Sequence, residues 1–118
     1  MGAPAVLIIE DDADVREALA DALSGSGVEV TLAVDGLDGL ERLETGVATP
    51  AVILLDLRMP RLGGEAFLQR IRADSRWEDI PVITMSAGSP RPGEAAVKAH
   101  LQKPFELDDL TRIVLSLV

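Results

Sequence analysis

Val52-Ile53-Leu54-Leu55-Asp56-Leu57-Arg58-Met59-Pro60 is the stretch from which the rest of the chain can be read. Its opening run of β-branched residues and leucines has no polar break. That is too short for most helices and suits a strand buried on both faces. The run ends in one carboxylate, Asp56, with Pro60 and then Gly63-Gly64 behind it. The strand therefore delivers a single acid to the edge of a sheet and then turns. An Asp in that place can serve simply as a turn residue, because its side chain bonds its own local backbone. What the other strands deliver to the same edge decides whether it does more.

Working outward, Ala5-Val6-Leu7-Ile8-Ile9 is a second strand of the buried type, ending in Glu10-Asp11-Asp12. Val15, Ala18, Leu19, Ala22 and Leu23 then follow the spacing of an amphipathic helix, stopped by Ser24-Gly25-Ser26-Gly27. Val28 to Val34 reads as a shorter strand, and Glu29 and Thr31 on its second face mark it as an edge. Leu37, Leu40 and Leu43 carry a second helix, and Phe67, Leu68 and Ile71 a third. Ala73 to Asp79 is a loop in which Trp77 covers the edge of the core. Pro81 to Ser86 is a strand with proline at its start, where a strand tolerates it. Residues 87–93 are a loop rich in Gly and Pro, and only Glu94 to Ala99 has room for a turn or two of helix. Ala99 to Gln102 is a last short strand, and a helix through Leu107, Leu110, Ile113, Val114 and Leu117 closes the chain. Strands alternating with helices favour an α/β fold with a parallel sheet covered on both faces.

A chain of 118 residues, 47% hydrophobic, suits one domain, residues 1–118, with a real core. It has no cysteine, hence no disulfide framework and no thiolate site. A formal charge of -9 and 3% aromatic residues argue against nucleic-acid binding and base stacking. No stretch has the pattern of a signal peptide or the length of a membrane span, which points to the cytoplasm.

In a parallel sheet, ligands bind outside the carboxyl ends of the strands. The groups expected there are Asp11 and Asp12 from the first strand, Asp56, Ser86 and Lys103. Alone, Asp12 or Asp14 would read as a cap of the first helix. Alone, Ser86 is a strand-end hydroxyl and Lys103 a solvated cation. Together they form one site. Clustered carboxylates repel, and a hard cation relieves that repulsion. With no His or Cys in the cluster, oxygen ligands favour Mg²⁺ over zinc. A carboxylate nucleophile, Mg²⁺, an ammonium and a hydroxyl are the parts needed to form an aspartyl phosphate.

The ordered set Asp11-Asp12, Asp56 with Pro60, Ser86-Ala87 and Lys103-Pro104-Phe105 resembles the response-regulator receiver domain of two-component signalling, over essentially the whole chain. The resemblance implies a flavodoxin-like, doubly wound, five-stranded parallel sheet in the order 2-1-3-4-5. It implies Asp56 as phosphoacceptor, and Asp11, Asp12, Asp56 and the backbone carbonyl of Arg58 as Mg²⁺ ligands. It further implies Ser86 as a switch hydroxyl, Lys103 as the phosphate partner and a cis bond before Pro104. The partners would be a sensor histidine kinase or phosphotransfer protein and a downstream protein, with no nucleic acid or membrane bound by this domain. Such a domain is a phosphoacceptor rather than an enzyme. No output module is expected within these residues.

Three features depart from the family pattern. His100, the only histidine, stands where receivers usually carry Tyr or Phe. It reads as a half-buried ring filling that space, or as a switch coupled to Ser86 with a charge that can change near neutrality. Only seventeen positions separate Ser86 from Lys103, so the helix between the fourth and fifth strands is expected to be short or missing. The output face would then be remodelled, its loop mobile, and the usual dimer through it in doubt. Arg58 sets a long cation beside Asp56, where it would meet attacking water or a kinase. The rivals are a scaffold that keeps the fold and signals without phosphorylation, and an Mg²⁺-dependent phosphatase. The phosphatase is disfavoured because Arg58 stands where such enzymes usually carry a general acid.

Overall fold

The computed structural model describes residues 3–46, 49–58, 62–86 and 98–118. Each apolar run identified above forms a strand: β1 (Ala5–Ile9), β2 (Glu29–Ala33), β3 (Val52–Asp56), β4 (Val82–Ser86) and β5 (Ala99–Gln102). All neighbours pair in parallel, in the order β2-β1-β3-β4-β5. The expected doubly wound sheet and its strand order are therefore present. Every residue of β3 is buried, as its unbroken apolar run requires. Glu29 and Thr31 of β2 are exposed, which fits its place at the edge. The helices among the described residues are α1 (Ala13–Ser24), α2 (Gly36–Thr45), α3 (Gly64–Arg72) and α4 (Leu107–Leu117). The short or missing helix expected between β4 and β5 falls on 87–97, outside the described residues. So do the remodelled face and mobile loop expected with it.

Strand side chains alternate between faces, so one sheet feeds two cores. Leu7, Ile9, Ile53 and Leu55 pack with Leu43 of α2 and with Phe67 and Ile71 of α3. Val6, Ile8, Val52, Leu54, Ile83 and Met85 pack with Leu19 and Leu23 of α1 and with Leu110 and Val114 of α4. Each such fully buried aliphatic side chain contributes about 2 kcal/mol of transfer free energy. Trp77 closes the first core. The Arg76 guanidinium lies 4.1 Å from the Trp77 ring centroid and pairs with Glu44 and Asp74 at 2.7 Å each, tying the end of α2 to the α3–β4 connection. No helix among the described residues is long and apolar enough to cross a membrane.

Acids set the starts of α1 and α2. Asp35 accepts a hydrogen bond from the Asp38 amide at 2.9 Å, and Asp38 accepts one from the Val34 amide at 3.0 Å. Asp12 does the same for α1, accepting from the amides of Asp14 at 2.9 Å and Val15 at 3.2 Å. All strands run the same way, so their carboxyl ends, and the polar residues that follow them, share one edge.

Candidate phosphoacceptor site

β1 and β3 are in register from Val6 opposite Val52 to Ile9 opposite Leu55. One step further, Glu10 comes level with Asp56. Each is the first acid after its apolar run, and each is almost wholly buried, Glu10 at 0% and Asp56 at 4% exposure. Asp11, exposed, completes a trio with one carboxylate oxygen from each residue, all within 4.8 Å of one another. One oxygen of Asp56 accepts from the Arg58 amide at 3.1 Å, which fixes the carboxylate against the loop after β3.

Three consecutive acids are thus divided differently from expectation. Asp11 joins Asp56, but Asp12 does not, because its carboxylate is turned back onto the first turn of α1. Glu10 takes the place in the cluster that sequence reading assigned to Asp12. The missed signal was register: counting from the ends of the two apolar runs puts Glu10, not Asp12, beside Asp56.

Lys103 follows β5 directly. Its ammonium donates to Glu10 Oε1 at 2.8 Å and lies 3.5 Å from Asp56 Oδ2. Burial alone would lower its pKa; the hydrogen bonds and charges of Glu10 and Asp56 more than offset this and hold it above the ordinary value. Burial pushes Glu10 the other way. Helped by the neighbouring Asp56 and opposed by Lys103, it raises the carboxyl from 4.5 to about 7. Among the described residues, the Lys103 ammonium pairs with two of the three clustered carboxyl groups, Glu10 and Asp56. The Lys103-Pro104 bond is cis.

Ser86, buried, ends β4. Backbone bonds from Leu57 to Met85 (3.0 Å) and from Lys103 to Ser86 (2.7 Å) hold the ends of β3, β4 and β5 together. His100 sits on β5, half-buried, with Nε2 3.2 Å from Ser86 Oγ and Nδ1 2.7 Å from Thr84 Oγ1. Sequence reading linked His100 to Ser86 and missed Thr84. Parity was the available signal, since residues 84 and 86 of one strand share a face.

The family model described as the response regulator receiver domain matches residues 6–115. The chain belongs to the receiver-domain family. A curated relative of this receiver is the DNA-binding transcriptional regulator NtrC of Escherichia coli K12, 37% identical over 116 residues, covering 92% of this chain and 24% of NtrC. The receiver spans about half or less of the length of the curated relatives it matches. Chemotaxis protein CheY4 of Vibrio cholerae shares the fold, with a TM-score of 0.88 at 24% identity over 99% of this chain and 100% of that one. The response regulator TrrA of Thermotoga maritima, solved in complex with Mg²⁺-BeF, matches with a TM-score of 0.84 at 25% identity over 98% of this chain and 99% of that one. Receiver domains are phosphoacceptors that bind Mg²⁺ at the acidic site, and this one carries its acidic pocket on Glu10, Asp11 and Asp56.

Proposed function

We propose that this receiver takes a phosphoryl group onto Asp56 from a phosphohistidine on a sensor histidine kinase or phosphotransfer protein, and that the modified site switches a contact with a downstream protein. The observation that carries the reading is Lys103, whose ammonium reaches both Glu10 and Asp56 within a carboxylate cluster at the strand ends.

The donor set suits Mg²⁺. The oxygens are hard, burial and the neighbouring Asp56 hold Glu10 above its ordinary pKa, and the chain has no cysteine. Glu10, Asp11 and Asp56 would hold the ion, with the Arg58 carbonyl as a further donor and Asp12 left to its cap. When bound, the ion supplies positive charge for the phosphoryl oxygens. An oxygen of Asp56 attacks phosphorus, the P–N bond of the donor breaks, and its electron pair stays with the donor imidazole. Lys103 is placed to follow the new charge by turning from Glu10 to a transferred oxygen, and Ser86 to donate to another. The product carries added charge and strong acceptors, which bias a two-state equilibrium.

The donor's approach is suggested by a largely apolar groove of about 630 Å³ beside Lys103. Val15, Ala18 and Leu19 of α1 form one wall, and Phe105 and Leu107 the other. A helix bearing the phosphohistidine would rest there with its imidazole toward Asp56.

Incubation with Mg²⁺ and a small phosphodonor, read by intact mass, tests the reading. One phosphoryl adduct that needs Mg²⁺ is expected. No adduct with any donor would favour a scaffold that signals without phosphorylation, and steady phosphate release from phosphoesters would favour a phosphatase.

A further inference from the structure

Thr84, His100 and Ser86 lie outside the carboxylate cluster of Glu10, Asp11 and Asp56, and are joined to one another through the two ring nitrogens of His100. Thr84 lies directly opposite His100 in the β4–β5 register and is fully buried. Among the described residues its hydroxyl meets Nδ1 of His100. If Nδ1 carried the ring proton, it would donate to Thr84 Oγ1 and leave the threonine proton buried without an acceptor. That carries the desolvation cost of an unpaired donor. If Nδ1 is bare, Thr84 donates to it and the cost disappears. The lengths agree with the second arrangement: 2.7 Å is typical of a bond donated by a hydroxyl, and 3.2 Å lies within the range of one donated by a ring N–H.

We propose that Thr84 and His100 are positioning residues: Thr84 holds His100 in the Nε2-protonated tautomer, and His100 in turn makes Ser86 an acceptor toward the ring. With its oxygen engaged by Nε2–H, Ser86 directs its own proton away from the ring. The other tautomer would draw that proton onto Nε2. The chain of donors runs from Thr84 through the imidazole to Ser86, each bond polarising the next. The final link, donation by Ser86 to a phosphoryl oxygen at Asp56, rests on the phosphoacceptor reading. The tautomer does not.

His100 is the sole histidine, so its ring gives a single set of long-range ¹⁵N–¹H NMR signals. The test records them at a mildly alkaline pH, where an ordinary imidazole is neutral, for the wild-type chain, Thr84→Val and Thr84→Ser. Adduct formation from a small phosphodonor with Mg²⁺ is timed in parallel. Thr84→Val keeps the β-branched shape and removes the hydroxyl; Thr84→Ser restores the hydroxyl. The expected result is a proton on Nε2 in the wild type and a shift toward Nδ1–H in Thr84→Val. Adduct formation in Thr84→Val should slow by about tenfold, the worth of one hydrogen bond. Both readouts should return in Thr84→Ser. An Nδ1-protonated ring in the wild type overturns the proposal, as does a Thr84→Val variant whose tautomer or rate is unchanged. The ring is read without any phosphodonor. A wild type that takes no phosphoryl group while its ring carries the proton on Nε2 therefore overturns the phosphoacceptor reading and leaves the Thr84–His100 link standing.

Discussion

At the scale of single residues, Glu10 is the group on which the site's electrostatics turn. It is wholly buried, faces Asp56 and shares Lys103 with it. Its folded pKa, about 7, lies above the ordinary 4.5, so the folded state binds the proton more tightly than the unfolded chain does. The stability this confers is complete below the unfolded pKa and is lost as pH rises through the folded one. Denaturant unfolding of the metal-free chain should show stability falling between about pH 4.5 and pH 7. Glu10→Gln, which keeps the shape and cannot ionise, should flatten that dependence; an unchanged slope would contradict the assignment. Asp12 gives the complementary test. As a cap its loss in Asp12→Ala should cost about 1 kcal/mol in unfolding measurements while Mg²⁺-dependent adduct formation continues. Asp11→Asn should do the reverse, sparing stability and abolishing the adduct.

At the scale of elements, the start of α3 sits in close backbone contact with the end of β3. A Cβ on Gly64 would stand 2.5 Å from the Asp56 carbonyl oxygen and 2.6 Å from Leu57 Cα, both backbone atoms that cannot swing aside. Gly64→Ala should therefore cost about 1–3 kcal/mol in thermal or denaturant unfolding and also slow adduct formation, because the strain falls on the residue that carries the acceptor. The elements were legible because their patterns are local. Unbroken apolar runs marked β1 and β3, alternation marked β2 as an edge, and helical spacing marked α1 and α4. The membership of the acidic cluster was less legible because it depends on the register between strands far apart in sequence. Asp12 satisfies a local rule, capping, and a compositional one, an acid near a site, and only the β1–β3 alignment separates them. Thr84 escaped notice for a related reason: an isolated threonine within an apolar strand gains its meaning from the residue opposite, sixteen positions away.

At the scale of the whole molecule, the sheet separates two tasks. Its carboxyl edge carries Glu10, Asp11, Asp56, Ser86 and Lys103, while the α1–α4 face carries the groove beside them. Docking and chemistry should therefore be separable by mutation. Ala18→Arg, which sets a bulky charge in the apolar wall, should reduce transfer from a phosphorylated protein donor by at least about tenfold, on the scale of an interface hot spot. It should leave phosphorylation by a small donor unchanged. Equal losses with both donors would place the defect in the fold rather than in docking. The central claim is that Asp56 itself receives the phosphoryl group. The most direct measurement is intact mass of the wild type and Asp56→Asn side by side after incubation with Mg²⁺ and a small phosphodonor. The account expects one phosphoryl adduct on the wild type and none on Asp56→Asn; an adduct of equal yield on both would contradict it.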